Sequence, residues 1–462
     1  MDRKPTALLD RELDRLYVDH VAELEGRYAR VIGEASWDAV VIHSGLLAKR
    51  SAFDDQYWPL RPVPHWQHWL PLAEPDCALV VRPGRKPRLV TVKSASFWEK
   101  PAAPVTRAFL DVFDMATVAD AAAVKDYVGS GRVAFVGESR ERSASWGIAD
   151  EGFCPPALVA ALDALRVKKT PYEVACIAEA NRRARAGHEA LREAFRDADA
   201  SELTLHLLYL GATAQDDWET PYKNIVAVGP NAATLHHVAY GVTSKARGPD
   251  GRGAESLLVD AGATCRGYCA DITRTWVKGS GAAASAFGHL IAGVETMQQR
   301  LCATVRRGMP YEDLHDESHR QAAEVLRAAG VVRGSADEAV SAGVTRALYP
   351  HGLGHSLGLQ THDVGCGLRQ VRRGNEFLRN TSDIEPGQVF TIEPGIYFIE
   401  ELLAPLRAGA HAVLVDWAIV DALAPLGGIR IEDDLLVVDG DDGDASVRNL
   451  TREHLPTGGG AA

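Results

Sequence analysis

The chain lacks several features that would settle its class at once. No run of apolar residues approaches the roughly 18 that span a bilayer, the longest being stretches such as that around Leu158 to Leu165, so insertion into a membrane is not expected. Positive charge is in deficit, with 50 Lys and Arg against 62 Asp and Glu and a net charge of −12. No local basic face stands out, which argues against binding to nucleic-acid phosphates. There is no CxxC pair and no dense cysteine framework. The seven cysteines, at 77, 154, 176, 265, 269, 302 and 366, are odd in number and scattered, as in a protein of a reducing compartment. The opening MDRKPTALLDRELDRLY carries charge throughout and no apolar core of a secretory signal, so a cytoplasmic protein is expected. No tandem repeat is visible.

What the chain does have is ordinary globular composition. Its 462 residues are 46% apolar and 24% charged, enough for two to three domains with a large buried core. Residues 8–35 place Leu9, Leu13, Leu16, Val21 and Leu24 at helical spacing, ahead of the strand-like WDAVVIHSG at 37–45. Residues 75–93 read as two strands about a Pro-Gly turn, and 131–138 as another short strand. This mixed α/β segment ends near 165, where Pro171 suits the first turn of a long helix. Beyond it, helices at 172–198, 284–307 and 311–330 alternate with antiparallel-looking strand pairs at 255–278, 388–400 and 428–438. The expected class is α+β, with domains at 1–165 and 166–450 and a mobile tail at 451–462 ending in TGGGAA.

Chemistry concentrates in the second part. In SLLVDAGATCRGYCADITRTW, a hairpin turning at Cys265 and Arg266 sets Asp260 directly opposite Asp271. Two carboxylates with Cβ atoms about 5 Å apart repel unless a cation or a shared proton lies between them. Glu393 in GQVFTIEPGIYF and Glu432 in GGIRIEDDLLVV sit in apolar strands, where a charge needs a partner. Strand alternation puts Arg430 on the face of Glu432. In PHGLGHSLGLQTHDVG, His351, His355 and His362 fall within twelve residues on a glycine-rich stretch. Its glycine spacing is not that of a dinucleotide loop, and HGLGH lacks the glutamate of a helical H-E-x-x-H zinc site. Four carboxylates balance two divalent cations with one neutral imidazole, and an oxygen-rich, thiolate-free set favours Mn-like ions. Two such ions sharing and deprotonating a water would give hydrolase chemistry.

Taken in order, LVDAGA, ADITRTW, HGLGHSLG, TIEPG and GIRIEDD resemble the metal-binding motifs of the pita-bread metallopeptidases, and within them the Xaa-Pro dipeptidases, or prolidases. The likeness is strong over about 170–440; the first 165 residues resemble the family's N-terminal domain in order and composition. The resemblance implies a C-terminal pita-bread domain of antiparallel sheet flanked by helices. It implies Asp260, Asp271, His355, Glu393 and Glu432 as ligands of two divalent ions, most readily Mn2+, with Co2+ or Zn2+ as substitutes. Asp271 and Glu432 would bridge the ions. The complete ligand set argues against a non-catalytic peptide-binding relative.

The same resemblance implies roles around the metals. Glu393 would be the general base to a metal-bridging hydroxide. His362, in THD, would stabilise the tetrahedral intermediate, and His236, in ATLHH, would contact substrate. His237 stands where relatives often have tyrosine, so its role is open. Tyr222 matches the family's site tyrosine, and His351 joins it as a substrate-side residue. Arg379 sits where the prolidase arginine would meet the proline carboxylate, with Arg430 as the next candidate. Trp98 resembles an aromatic offered by a neighbouring subunit, so a homodimer is expected. The implied substrate is a small peptide with proline second; the related alternative is an Xaa-Pro aminopeptidase acting on longer chains. Side activity on organophosphate esters is also implied.

Overall fold

Leu13, Tyr17, Val21, Leu24, Tyr28 and Val31 recur at intervals of three or four and are all buried, which makes one face of the helix Lys4–Glu34 an apolar stripe. The computed structural model describes residues 4–93, 111–197, 199–243, 255–440 and 444–462. The expectation for Trp98 lies outside the described residues. The chain divides into two compact units, Met1–Ala175 and Cys176–Ala462.

In the first unit, β1 (Ala39–His43), β2 (Ala78–Val81), β3 (Arg88–Val92), β4 (Asp114–Val118) and β5 (Val133–Val136) form a mixed sheet of order β4-β3-β2-β1-β5. The pairs β1/β2 and β2/β3 are antiparallel, whereas β1/β5 and β3/β4 are parallel. The division falls ten residues beyond the expected 165, inside the helix Pro171–Asp197. Its first turn belongs with the first unit because Tyr172 packs on Tyr17 and His20, at ring centroids of 5.2 and 4.9 Å.

The second unit contains β6 (Ile225–Val228), β7 (Glu255–Asp260), the short β8 (Thr264–Cys265) and β9 (Tyr268–Cys269), and β10 (Thr273–Lys278). After two long helices, Ala282–Thr304 and Tyr311–Ala328, come β11 (Val389–Ile392), β12 (Gly395–Tyr397), β13 (Gly428–Arg430), β14 (Asp433–Asp439), β15 (Ala445–Asn449) and β16 (Gly459–Ala461). The α+β class stands, with two corrections. The segments 388–400 and 428–438 do not fold into separate pairs: β11 pairs with β14 and β12 with β13, all antiparallel. The tail is not mobile throughout. Leu455 is buried, and β16 lies parallel to the free edge of β10 from Thr275↔Gly459 to Val277↔Ala461. A sheet edge offers backbone partners to any chain, and glycine needs no side-chain room to take them. The sheet β16-β10-β7-β6 is therefore mixed rather than wholly antiparallel. Among the described residues no helix is long and apolar enough to cross a membrane.

Candidate metal centre and active site

The β7–β10 hairpin supplies the first two carboxylates, in a register different from the one expected. Asp260 pairs with Thr273, Ala261 N donates to Ile272 O (3.0 Å), and Cys265 pairs with Tyr268. The turn is therefore Arg266-Gly267, with φ of 50° and 91°, a left-handed pair whose twist suits a tight hairpin. Asp260 and Asp271 remain on one face but are diagonal neighbours. Thr273 occupies the position opposite Asp260 and donates to Glu432 Oε2 at 2.6 Å.

His355 is placed by a backbone ladder rather than by a helix. Leu357 N donates to Val389 O, Thr391 N to His355 O and Glu393 N to Leu353 O, at 3.0, 2.9 and 2.8 Å. The glycine stretch thus lies flat against β11. A Cβ on Gly354 would come 2.3 Å from Thr391 O and 2.5 Å from the Tyr311 hydroxyl. We therefore expect Gly354→Ala to cost about 1–3 kcal/mol of stability and to shift His355; denaturant unfolding with metal analysis checks both, and a wild-type midpoint would contradict it. His355 Nδ1 donates to Ser356 O (3.2 Å), which leaves Nε2 to face the carboxylates. From Nε2 the distances are 3.4 Å to Asp271, 3.5 Å to Glu393 and 3.9 Å to Glu432. Asp271, His355 and Glu432 offer ligand atoms within 4.8 Å of one another.

Electrostatics show what the cluster needs. Asp260, Asp271, His355 and Glu432 are buried, and Glu393 is nearly so. Burial, then the charges of Asp271, Glu393 and Asp260, raise Glu432 far above the carboxylate range. Burial pushes Glu393 up, against the charges of His355 and Arg430. For His355, burial lowers the pKa but is outweighed by the hydrogen bond to Asp271 and the charges of Glu393 and Asp271, so it rises to about 9. Asp260 Oδ1 is buried with no hydrogen-bond donor among the described residues. Four carboxylates outnumber Arg430 and His355, the cations that face them. An oxygen-rich set with one imidazole and no thiolate fits hard divalent cations.

Four further expected residues lie around this cluster. Tyr222 donates its hydroxyl proton to Asp271 Oδ1. His362 is solvent-exposed and stacks edge-on to His355, centroids 4.4 Å apart; burial and the charges of His355 and Arg379 lower its pKa to about 4. His236 is exposed and lies within electrostatic reach of His351 and His362. Arg379 is exposed, with its charge felt at His362.

Two residues differ from the substrate-facing placement expected of them. Arg430 is buried with its fork committed to the protein: Nη2 to Asp260 Oδ2 (2.6 Å), Nη1 to the Tyr397 hydroxyl (2.9 Å) and Nε to Thr273 Oγ1 (3.1 Å). Strand alternation put it on the face of Glu432, but Asp260 takes its fork. His351 Nδ1 donates to Gly352 O and Nε2 accepts from Tyr397, both at 2.8 Å, so neither ring nitrogen is open to substrate. The chain Asp260–Arg430–Tyr397–His351 is a continuous wall of hydrogen bonds.

Sequence reasoning missed the support behind the ligands. Asp434 Oδ2 accepts from Asp271 N (3.1 Å) and Asn181 Nδ2 (2.8 Å), fixing the backbone that carries Asp271. Asp433 and Arg274 form a fully buried ion pair at 2.8 Å, and Arg274 Nη1 donates to Glu432 O at 2.8 Å. The signal was present: two further acids directly after Glu432, ahead of the apolar run Leu435 to Val438.

The comparisons with known proteins agree with this geometry. Metallopeptidase family M24 matches residues 175–439, and the Xaa-Pro dipeptidase N-terminal domain matches residues 15–164. The chain belongs to metallopeptidase family M24. An Xaa-Pro dipeptidase of Marinobacter nauticus is 41% identical over 94% of this chain and 97% of that protein. One from Aeromonas hydrophila is 38% identical over 95% and 98%. Among solved structures, Pseudomonas aeruginosa aminopeptidase PepP matches with TM-score 0.71 over 95% of this chain and 96% of that one, at 21% identity. Proline aminopeptidase P II from Yersinia pestis matches with TM-score 0.69 over 94% and 97%, at 20% identity. These two likenesses establish the fold, the pita-bread fold of the M24 family.

Proposed function

We propose that this M24 protein is a divalent-metal-dependent Xaa-Pro dipeptidase. The carrying observation is the buried cluster in which three carboxylates, Asp271, Glu393 and Glu432, surround His355 Nε2, in a chain 41% identical to an Xaa-Pro dipeptidase along nearly its whole length. In this reading Asp260, Asp271, His355, Glu393 and Glu432 would hold two divalent ions, with Mn2+ as the preferred metal. The ions, when bound, supply Lewis acidity and an activated water at neutral pH.

The side chains do the rest. Glu393, its affinity for protons raised by burial, takes a proton from the attacking water and passes it to the imide nitrogen as the peptide bond breaks. His362, kept neutral by burial and by neighbouring positive charge, donates a hydrogen bond to the carbonyl oxygen as it gains charge. His236 contacts the substrate. Arg379, exposed before substrate arrives, meets the proline carboxylate. A proline imide has no N–H and resists general peptidases, which gives such an enzyme its niche. A cytoplasmic homodimer completes the reading, with side activity toward organophosphate esters.

Product analysis tests the substrate length. Gly-Pro should be cleaved and Gly-Pro-Ala left intact; release of glycine from the tripeptide alone would make the protein an aminopeptidase instead.

Metal removal should also reveal the cluster's charge through pH. Folded His355 titrates near 9 against 6.5 unfolded, so its contribution to stability is complete below 6.5 and is lost as pH rises through 9. Glu393, shifted from 4.5 to about 7, adds a loss of the same sign below that window. Chelated protein should therefore melt at falling temperature between pH 6.5 and 9, and added divalent cation should reverse the trend. A chelated protein whose melting temperature rises across this window would contradict the placement of His355.

A further inference from the structure

Outside the carboxylate cluster, one buried carboxylate gathers donors from a single loop. Glu202 opens the helix Glu202–Thr213 behind the N-cap Ser201 and is buried. Its Oε1 accepts from Val228 N at 2.9 Å and Asn231 Nδ2 at 2.7 Å. Its Oε2 accepts from His237 Nε2 and Gly241 N, both at 2.8 Å. Gly241 O in turn accepts from Leu203 N at 3.1 Å. Burial alone would raise the Glu202 pKa, but these hydrogen bonds outweigh it and hold the group as a carboxylate. The four donors come from the beginning, middle and end of residues 228–241. Of the side-chain donors, His237 is the one next in the chain to His236, whose own imidazole is exposed and electrically coupled to His351 and His362.

A carboxylate only accepts, so His237 must carry its proton on Nε2, and the contact is directional. Backbone donors tie down the ends of the segment. His237 is the tie at the residue that adjoins the substrate contact.

We infer that His237 is a positioning residue for the dipeptidase reaction: by anchoring to Glu202 it sets where His236 presents its imidazole to the substrate. The inference rests on the proposed role of His236 as a substrate contact. His237 touches no substrate itself, so its effect must pass through His236.

Steady-state kinetics on Gly-Pro test this, with His237→Phe and His237→Gln made in the wild-type chain and in His236→Ala. His237→Phe keeps a ring and removes the donor; it should lose about tenfold in kcat/KM, mostly through KM, as expected for coupled neighbours. His237→Gln keeps an N–H and should stay within about twofold. In the His236→Ala background, His237→Phe should cost less than about twofold further. Should the Phe variant not fold, His237→Asn, too short to reach Glu202, takes its place with the same expectation. Equal losses in both backgrounds, or a His237→Gln loss as large as that of His237→Phe, would overturn the inference and leave the dipeptidase reading intact. A wild-type protein without Gly-Pro hydrolysis would remove that reading and this inference together.

Discussion

Replacing Glu393 by glutamine lowers kcat for Gly-Pro at least about 100-fold, the lower end of what general base catalysis contributes, while the protein stays folded. The substitution is nearly isosteric, and the backbone bond from Glu393 N to Leu353 O that positions the side chain is untouched. What is lost is the group that carries the proton, together with one charge facing His355. Metal content measured beside kcat separates the two effects: occupancy should fall much less than rate. Near wild-type kcat at full metal occupancy would remove Glu393 from the mechanism. Asp271→Asn offers the complementary result, since Asp271 lies closest to His355 Nε2 of the three carboxylates around it, at 3.4 Å, and its loss should empty the site.

Truncation of Arg379 to alanine lowers kcat/KM for free-acid Gly-Pro by about thirtyfold, equivalent to about 2 kcal/mol. This is the lower end for a broken charge pair, because the guanidinium is exposed before substrate arrives and is desolvated only in the complex. Gly-Pro amide, which lacks the carboxylate, should be poor with wild type and nearly unchanged in the variant. The comparison isolates the contact from any general damage to the loop. Equal loss on both substrates would make Arg379 structural and would withdraw the main support for a dipeptide-length site. Arg430 no longer stands as the replacement candidate, since Asp260 and Tyr397 occupy its fork.

The sequence made the acids and histidines visible because charge inside an apolar strand is costly and therefore conspicuous, as at Glu393 and Glu432. Their exact arrangement was less legible. The hairpin register followed from assuming that Cys265 and Arg266 make the turn; Arg266 instead takes φ of 50°, a conformation uncommon for arginine that composition does not announce. Pairing β11 with β14 and β12 with β13 depends on contacts between residues 31 to 47 positions apart, which local alternation cannot specify. The role of Arg430 was half visible: its face was right, but its partner belongs to β7. The anchoring of β16 escaped because backbone pairing at a sheet edge leaves no side-chain pattern in TGGGAA. His237 was open for a similar reason, as its partner Glu202 is thirty-five positions away.

The most direct test of the central claim is Gly-Pro hydrolysis by protein stripped with a chelator and titrated with Mn2+, read against metal bound per chain. Activity should vanish on stripping and return in step with cation uptake, reaching its plateau near two ions per chain. Undiminished hydrolysis by protein shown to be free of metal would contradict the account, as would a protein that binds both ions and leaves Gly-Pro untouched.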